Sequence, residues 1–207
     1  MPDINAVLLN CSLKKRGDET SSTDRLLAEV AEQLKKEDVG IDGPIRLADE
    51  NVLPGVTSDE GSGDTWPAIR QRILDAEILV LGTPIWMGHP SSLAQRCLER
   101  LDAFLSEDDE DGRMISYDRV AIVAVVGNED GAHHVGAQLF QGLNDVGFTI
   151  PASGMTYWVG QARHKTDYKD LGATPDDVAT ATAAAARNAA HLARALAKNP
   201  YPAGDKK

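Results

Sequence analysis

The sequence is poor in cysteine, in positive charge and in long apolar runs, and each shortage excludes a class of protein. Its two cysteines, Cys11 and Cys97, form no CxxC pair. No disulfide framework is expected, and both read as free thiols of a reducing, cytoplasmic compartment. Lys plus Arg number 21 against 32 Asp plus Glu, a formal charge of −11. Such a surface repels phosphate backbones and anionic bilayers, which argues against nucleic-acid or membrane-surface binding. No segment reaches the roughly 20 apolar residues of a bilayer span. The first ten residues carry neither the basic start nor the cleavage site of a signal peptide. Phosphate-binding signatures are missing too. There is no GxxxxGKS/T, and Gly61-Ser62-Gly63 lacks the third glycine of a dinucleotide fingerprint.

What is present is a globular balance: 42% hydrophobic and 26% charged residues over 207 positions. That length is enough to bury a core without staples. One domain is expected over residues 1–198, with a loose tail at 199–207.

The periodicity alternates between short apolar runs and helical faces. Ile4–Asn10 reads as a first strand. Ser22–Glu37 is a helix with Leu26, Leu27, Val30, Ala31 and Leu34 on one face. Ile45–Ala48 is a weak second strand, followed by a Pro/Gly/Ser/Asp-rich loop. Pro67–Glu77 is a helix opened by proline, with Ile69, Ile73 and Leu74 inward. Ile78–Leu81 is a buried strand running on towards Thr83. Ser92–Leu105 is a helix with a Ser92…Gln95 capping box. The charge run Glu107–Asp111 reads as a solvated loop. Val120–Val126 is a strand and His134–Val146 a helix. A last strand falls within Phe148–Ile150 and Met155–Val159. Pro175–Lys198 is a long Ala-rich helix with Thr174 as its N-cap. Strands alternating with helices predict an α/β protein with a parallel sheet covered on both faces.

In such sheets ligands bind beyond the carboxyl ends of the strands. Three loops fall there. The first, 10–23, carries Ser12, Lys14, Ser21, Ser22 and Thr23 into a helix start, where hydroxyls and free N–H groups suit a phosphate. N-capping by Ser21 or Ser22 is the plain alternative. Arg16 is one residue short of the Cys-x5-Arg spacing, so Cys11 reads as a strand-end residue rather than a nucleophile. The second loop presents Pro84, Ile85, Trp86, Met87 and Gly88, a rigid turn suited to the face of a planar ring. The alternative is a core or subunit contact for Trp86 and Met87. The third loop, Gly127, Asn128, Glu129, Asp130 and Gly131, is small enough for close backbone approach. His133 and His134 follow it, either as surface or capping residues or as donors to a ring. No metal site is expected, because no further ligand falls at metal spacing.

These loops resemble, in order, three motifs of the flavodoxin-like superfamily, in its NAD(P)H-dependent FMN reductase and quinone reductase branch. The resemblance covers Ile4–Trp158. It consists of a Ser-x-Lys/Arg…Ser-Ser-Thr loop, a Thr-Pro-Ile-Trp-Met-Gly loop similar to Pro-x-Tyr/Trp-x-Gly, and a Gly-Asn-Glu-Asp-Gly loop. It implies a flavodoxin-like three-layer sandwich with a five-stranded parallel sheet in the order 2-1-3-4-5. It implies FMN, with the phosphate at Ser12, Lys14, Ser21, Ser22 and Thr23 and the ring between the other two loops. NADPH or NADH would be the electron donor and a quinone, a flavin or another small molecule the acceptor. No side chain is assigned as catalytic, because the cofactor carries the chemistry. A homodimer or homotetramer is implied, with Trp86, Met87, Tyr157 and Trp158 as contact residues. The alternatives are an electron-carrier flavodoxin docking to a protein partner and a flavin-less scaffold on the same fold. The first loop is longer than the compact family form. Trp86 stands where tyrosine is more usual. The missing cysteine cluster argues against the iron–sulfur branch.

Overall fold

The computed structural model describes residues 3–161 and 164–203. Strand β1 (Ile4–Asn10) pairs in parallel with β2 (Val39–Arg46) on one side and with β3 (Ile78–Trp86) on the other. β3 pairs with β5 (Val120–Gly127), and β5 with β6 (Met155–Val159), all parallel. The order is β2-β1-β3-β5-β6, with the two-residue β4 (His89–Pro90) hairpinned onto β3. Leaving out β4, this is the expected 2-1-3-4-5 arrangement.

Side-chain alternation divides the core into two layers. Val7 and Leu9 of β1, Leu79 and Leu81 of β3, and Ala121, Val123 and Val125 of β5 face one way. They pack against α2 (Trp66–Leu74), α3 (Ser92–Leu101) and α4 (Ala132–Asp145). Ala6, Leu8, Val80, Ile122 and Ala124 face the other way, against α1 (Ser22–Lys36) and α5 (Asp176–Lys198). Helix α5 presents Ala185, Ala186, Ala189, Ala190 and Ala193, all buried. These small side chains let the middle of its axis lie close to the sheet.

Several boundaries differ from the sequence expectation. β2 begins at Val39 rather than Ile45, because pairing with β1 recruits the polar stretch before it. α2 starts at Trp66, which is fully buried. α3 ends at Leu101 and continues as a 3₁₀ turn to Ser106. Its cap is Ser91, not Ser92: the Ser91 hydroxyl accepts from Ala94 N at 3.1 Å. Thr174 does not cap α5, since Pro175 holds that position and the Thr174 hydroxyl donates to Glu29 at 2.6 Å. Of the two pieces offered for the last strand, only Met155–Val159 forms it, while Thr149 makes a single bridge to Val120. The tail is held at its start, where Tyr201 N donates to Asp118 at 2.8 Å and its ring packs 5.4 Å from Tyr117. Residues 204–207 lie outside the described residues.

Candidate functional site

The carboxyl ends of β1, β3 and β5 form one edge, and the chain reverses direction across the sheet between β1 and β3. A cavity of about 330 Å³ opens there. Its walls are Ser12, Leu13, Lys14, Ser21, Ser22 and Thr23 from the first loop, Pro84, Ile85 and Trp86 from the second, Val126, Gly127, Asn128 and Glu129 from the third, and Asp167. Eleven of these fourteen are residues the sequence singled out. Met87, Gly88, Asp130 and Gly131 are not in the wall.

The first loop is held by a network around Asp24. Ser21 caps α1 in a reciprocal box, its hydroxyl accepting from Asp24 N at 3.1 Å and its own N–H donating to the Asp24 carboxylate at 2.8 Å. The same carboxylate accepts from Asn10 Nδ2 at 2.6 Å and pairs with Arg46. Capping therefore occupies Ser21. Ser22 and Thr23 stand at the first two helical positions, where backbone N–H groups lack intrahelical acceptors. Ser12 is buried, with its hydroxyl accepting from Lys14 N at 3.3 Å. Lys14 Nζ pairs with Glu19 at 2.5 Å, so part of its charge is already met.

The second loop is a tight hairpin. Trp86 pairs with His89, and both turn residues, Met87 and Gly88, have positive φ (53° and 77°). That geometry belongs to a type I′ turn, in which a non-glycine first residue carries strain. Met87 is held in it by donating its N–H to Glu129 Oε1 at 2.8 Å, which ties the second loop to the third. Met87 itself projects outward, 86% exposed, while Trp86 stands half-exposed at the cavity rim. Gly131 caps α4 against this turn: a Cβ there would lie 3.0 Å from Gly88 Cα. Asp130 accepts from Gly131 N at 2.7 Å. These four residues shape the walls without forming them.

Ser91 ties the end of β1 to β3. Its hydroxyl donates to Cys11 O at 2.6 Å, and its N–H donates to the Thr83 hydroxyl at 3.1 Å. Burial pushes the Cys11 thiol well up and that of Cys97 to about 12, so neither is a thiolate at neutral pH. Neither His133 nor His134 reaches the cavity. His134 contacts Gln138 at 2.9 Å and stacks edge-on to His89, and His133 packs on Tyr157. Among the described residues no cluster of three or more His, Cys, Asp or Glu is placed to hold a metal. No helix among them is long and apolar enough to cross a membrane.

Three wall residues escaped the sequence reading. Val126 ends the most strand-like run and was legible there as core. Leu13 is an apolar residue in a polar loop and half-exposed, a weak signal in itself. Asp167 had no local signal: it follows β6 and reaches the edge only through the fold.

The order of the strands places this chain among flavodoxin-like proteins. It belongs to the NADPH-dependent FMN reductase family, whose model matches residues 4–164. It is 28% identical over 208 residues to 8-demethyl-8-aminoriboflavin-5′-phosphate synthase of Streptomyces davaonensis, covering 96% of this chain and 80% of that protein. A crystal structure of RosB with bound 8-demethyl-8-formylriboflavin-5′-phosphate superposes with a TM-score of 0.85 at 27% identity, over 96% of this chain and 82% of that one. An NADH:FMN oxidoreductase in its apo form gives a TM-score of 0.60 at 18% identity, over 95% and 92%, a likeness of fold. The chain is also 36% identical over 173 residues to a Mycobacterium bovis (strain ATCC BAA-935 / AF2122/97) protein named divalent metal cation transporter MntH. That match covers 82% of this chain and spans only a quarter of the relative's length.

Proposed function

We propose that the protein binds FMN in the carboxyl-edge cavity and passes electrons from NADPH or NADH to a quinone, a flavin or another small acceptor. The observation that carries this is chemical zoning within one cavity. One end offers the Ser12, Ser22 and Thr23 hydroxyls and the first-turn amides of α1. The other offers Ile85, Trp86 and Val126 beside the backbone of Gly127. A monophosphate suits the first end because orphan helix amides and the positive end of the dipole favour an anion. A flat heterocycle suits the second, where Trp86 supplies an aromatic wall. About 330 Å³ is at the lower end of ordinary ligand cavities, as expected where a ring edge remains open to a second reactant.

Bound FMN supplies hydride and electron transfer; the chain's own residues bind and orient it. The fixed backbone of Gly127–Glu129 and the Met87–Glu129 tie hold the ring slot open without needing to reorganise when charge develops. No side chain of the wall is needed as a proton donor.

The test is an apoprotein titration with FMN followed by NADH and NADPH oxidation with a quinone. Saturable binding and turnover are expected. A protein with no affinity for FMN removes the proposal.

A second reading has its own support in the 0.85 superposition on RosB, whose bound molecule is a modified riboflavin phosphate. On this reading the flavin is the substrate and its ring is altered. Mass spectrometry of the flavin recovered after turnover separates the two: an unchanged mass supports the redox reading, a changed one the synthase reading. The exposed Met87 and Trp86 beside the cavity mouth support a homo-oligomer, which sedimentation tests; a fully active monomer counts against it.

A further inference from the structure

The cavity wall is completed by Asp167, which belongs to a segment, residues 164–174, held by several specific contacts. Tyr168 anchors it. The ring is fully buried, 5.4 Å from Trp158 and 4.8 Å beneath the Arg25 guanidinium, and its phenol donates to Glu29. Burial, reinforced by the Glu29 carboxylate, holds that phenol well above its usual range, so it remains a donor. Arg25 Nη1 donates to Tyr168 O at 2.8 Å and to Leu171 O at 2.6 Å. Arg25 and Thr174 both donate to Glu29, at 3.1 and 2.6 Å. Lys169 N donates to the Ser22 hydroxyl at 3.3 Å, at the start of α1. This anchored segment lies directly after the family's matched span, 4–164.

Its product is the placement of one carboxylate. Asp167 immediately precedes the anchor and lines the cavity. It accepts from the Asn128 side-chain amide, in the ring-side third loop. Two residues on, the same segment touches Ser22 at the phosphate end. Asp167 therefore stands where the two ends of the cavity meet. An ionised carboxylate has about four acceptor positions and no donor. Asn128 uses one. A ligand atom beside it must be a donor, and an anion is repelled.

Resting on the FMN reading, we propose that Asp167 is a specificity-determining residue that selects the polyol chain joining ring to phosphate, by accepting hydrogen bonds from its hydroxyls. The phosphate is thereby confined to the Ser22–Thr23 end and the ring to the Trp86 end.

Three flavins test it: FMN, riboflavin, which keeps the hydroxyl chain without phosphate, and lumiflavin, which has neither. Dissociation constants are measured by flavin fluorescence for the wild type and for Asp167→Ala. The expected result is a loss of about tenfold for FMN and riboflavin alike, the size of a hydrogen bond to a charged group, with lumiflavin unchanged. Asp167→Asn, which keeps one acceptor oxygen, serves should the alanine variant not fold; it loses affinity for riboflavin and none for lumiflavin. Unchanged riboflavin affinity, or an equal loss on all three ligands, overturns the assignment while leaving FMN binding intact. A wild type that binds none of the three overturns the FMN reading and this inference together.

Discussion

Arg100→Met is the sharpest test of how the cavity's surroundings are held. Arg100 and Asp64 form an ion pair at 2.7 Å with both side chains fully buried. Arg100 also donates from Nη1 to Leu53 O at 2.9 Å, and from Nε and Nη2 to Thr57 O at 3.1 and 2.9 Å. It lies 5.6 Å from the Trp66 ring. One guanidinium on α3 thus organises the whole loop between β2 and α2. Methionine fills much of the volume but leaves two carbonyls and one carboxylate without their cation. Breaking a buried pair by removing one partner costs about 3–5 kcal/mol. Asp64 keeps three backbone donors, from Leu53, Glu60 and Trp66, which places the loss at the lower end, about 3 kcal/mol. For a chain of this size that is a fall in Tm of about 6–12 °C.

The pH dependence has a definite sign. Burial raises the Asp64 pKa, but the Arg100 guanidinium and the three amides outweigh it and hold the carboxyl well below its usual value of 3.8. A depressed native pKa contributes stability that is complete above the unfolded value and is lost as pH falls from there through the native one. The wild type therefore loses stability steeply below about pH 4, and Arg100→Met loses it less steeply because much of the depression has gone. Urea unfolding followed by tryptophan fluorescence, from about one unit below the unfolded carboxylate value up to neutrality, measures both effects. A loss under about 1 kcal/mol at neutral pH would falsify the argument, because desolvation would then cancel the pair.

The remaining predictions concern the cavity. Thr23→Val raises the FMN dissociation constant about tenfold and leaves that of riboflavin nearly unchanged, since only the phosphate end is altered; parallel fluorescence titrations check it. In Gly127→Ala the new Cβ meets Ile85 Cβ at 2.8 Å, which costs about 1–3 kcal/mol of stability and weakens flavin binding; calorimetry and titration read the two, and an unaffected variant contradicts the packing shown here. Trp86→Ala weakens FMN about fivefold, the scale of one aromatic contact, without lowering Tm, because the half-exposed indole supports little else.

The layered architecture was legible because it rests on local periodicity. Val7 and Leu9 against Ala6 and Leu8, or Val123 against Ile122, alternate in the chain as they do in space. The three edge loops were legible for a related reason: the carboxyl ends of parallel strands share one side whatever the details. For α1 the sequence left the cap open between Ser21 and Ser22, and Ser21 takes it; the cap of α3 was displaced by one residue. Ser91 is chosen there because it also reaches Cys11 O and Thr83, contacts eighty and eight residues distant.

By itself, then, the sequence determined the alternation of strand and helix, the two faces of the sheet and the loops that meet at its carboxyl edge. All of these follow from spacing within a dozen residues. Tertiary structure alone decided that Met87 braces the walls from behind and that Asp167 completes them. Those outcomes depend on partners such as Glu129, Asn128 and Arg25, brought together from 39 to 146 residues away by the folding of the sheet. A one-dimensional pattern records which residue type occupies a position, but the neighbour that claims its hydrogen bond is chosen by packing.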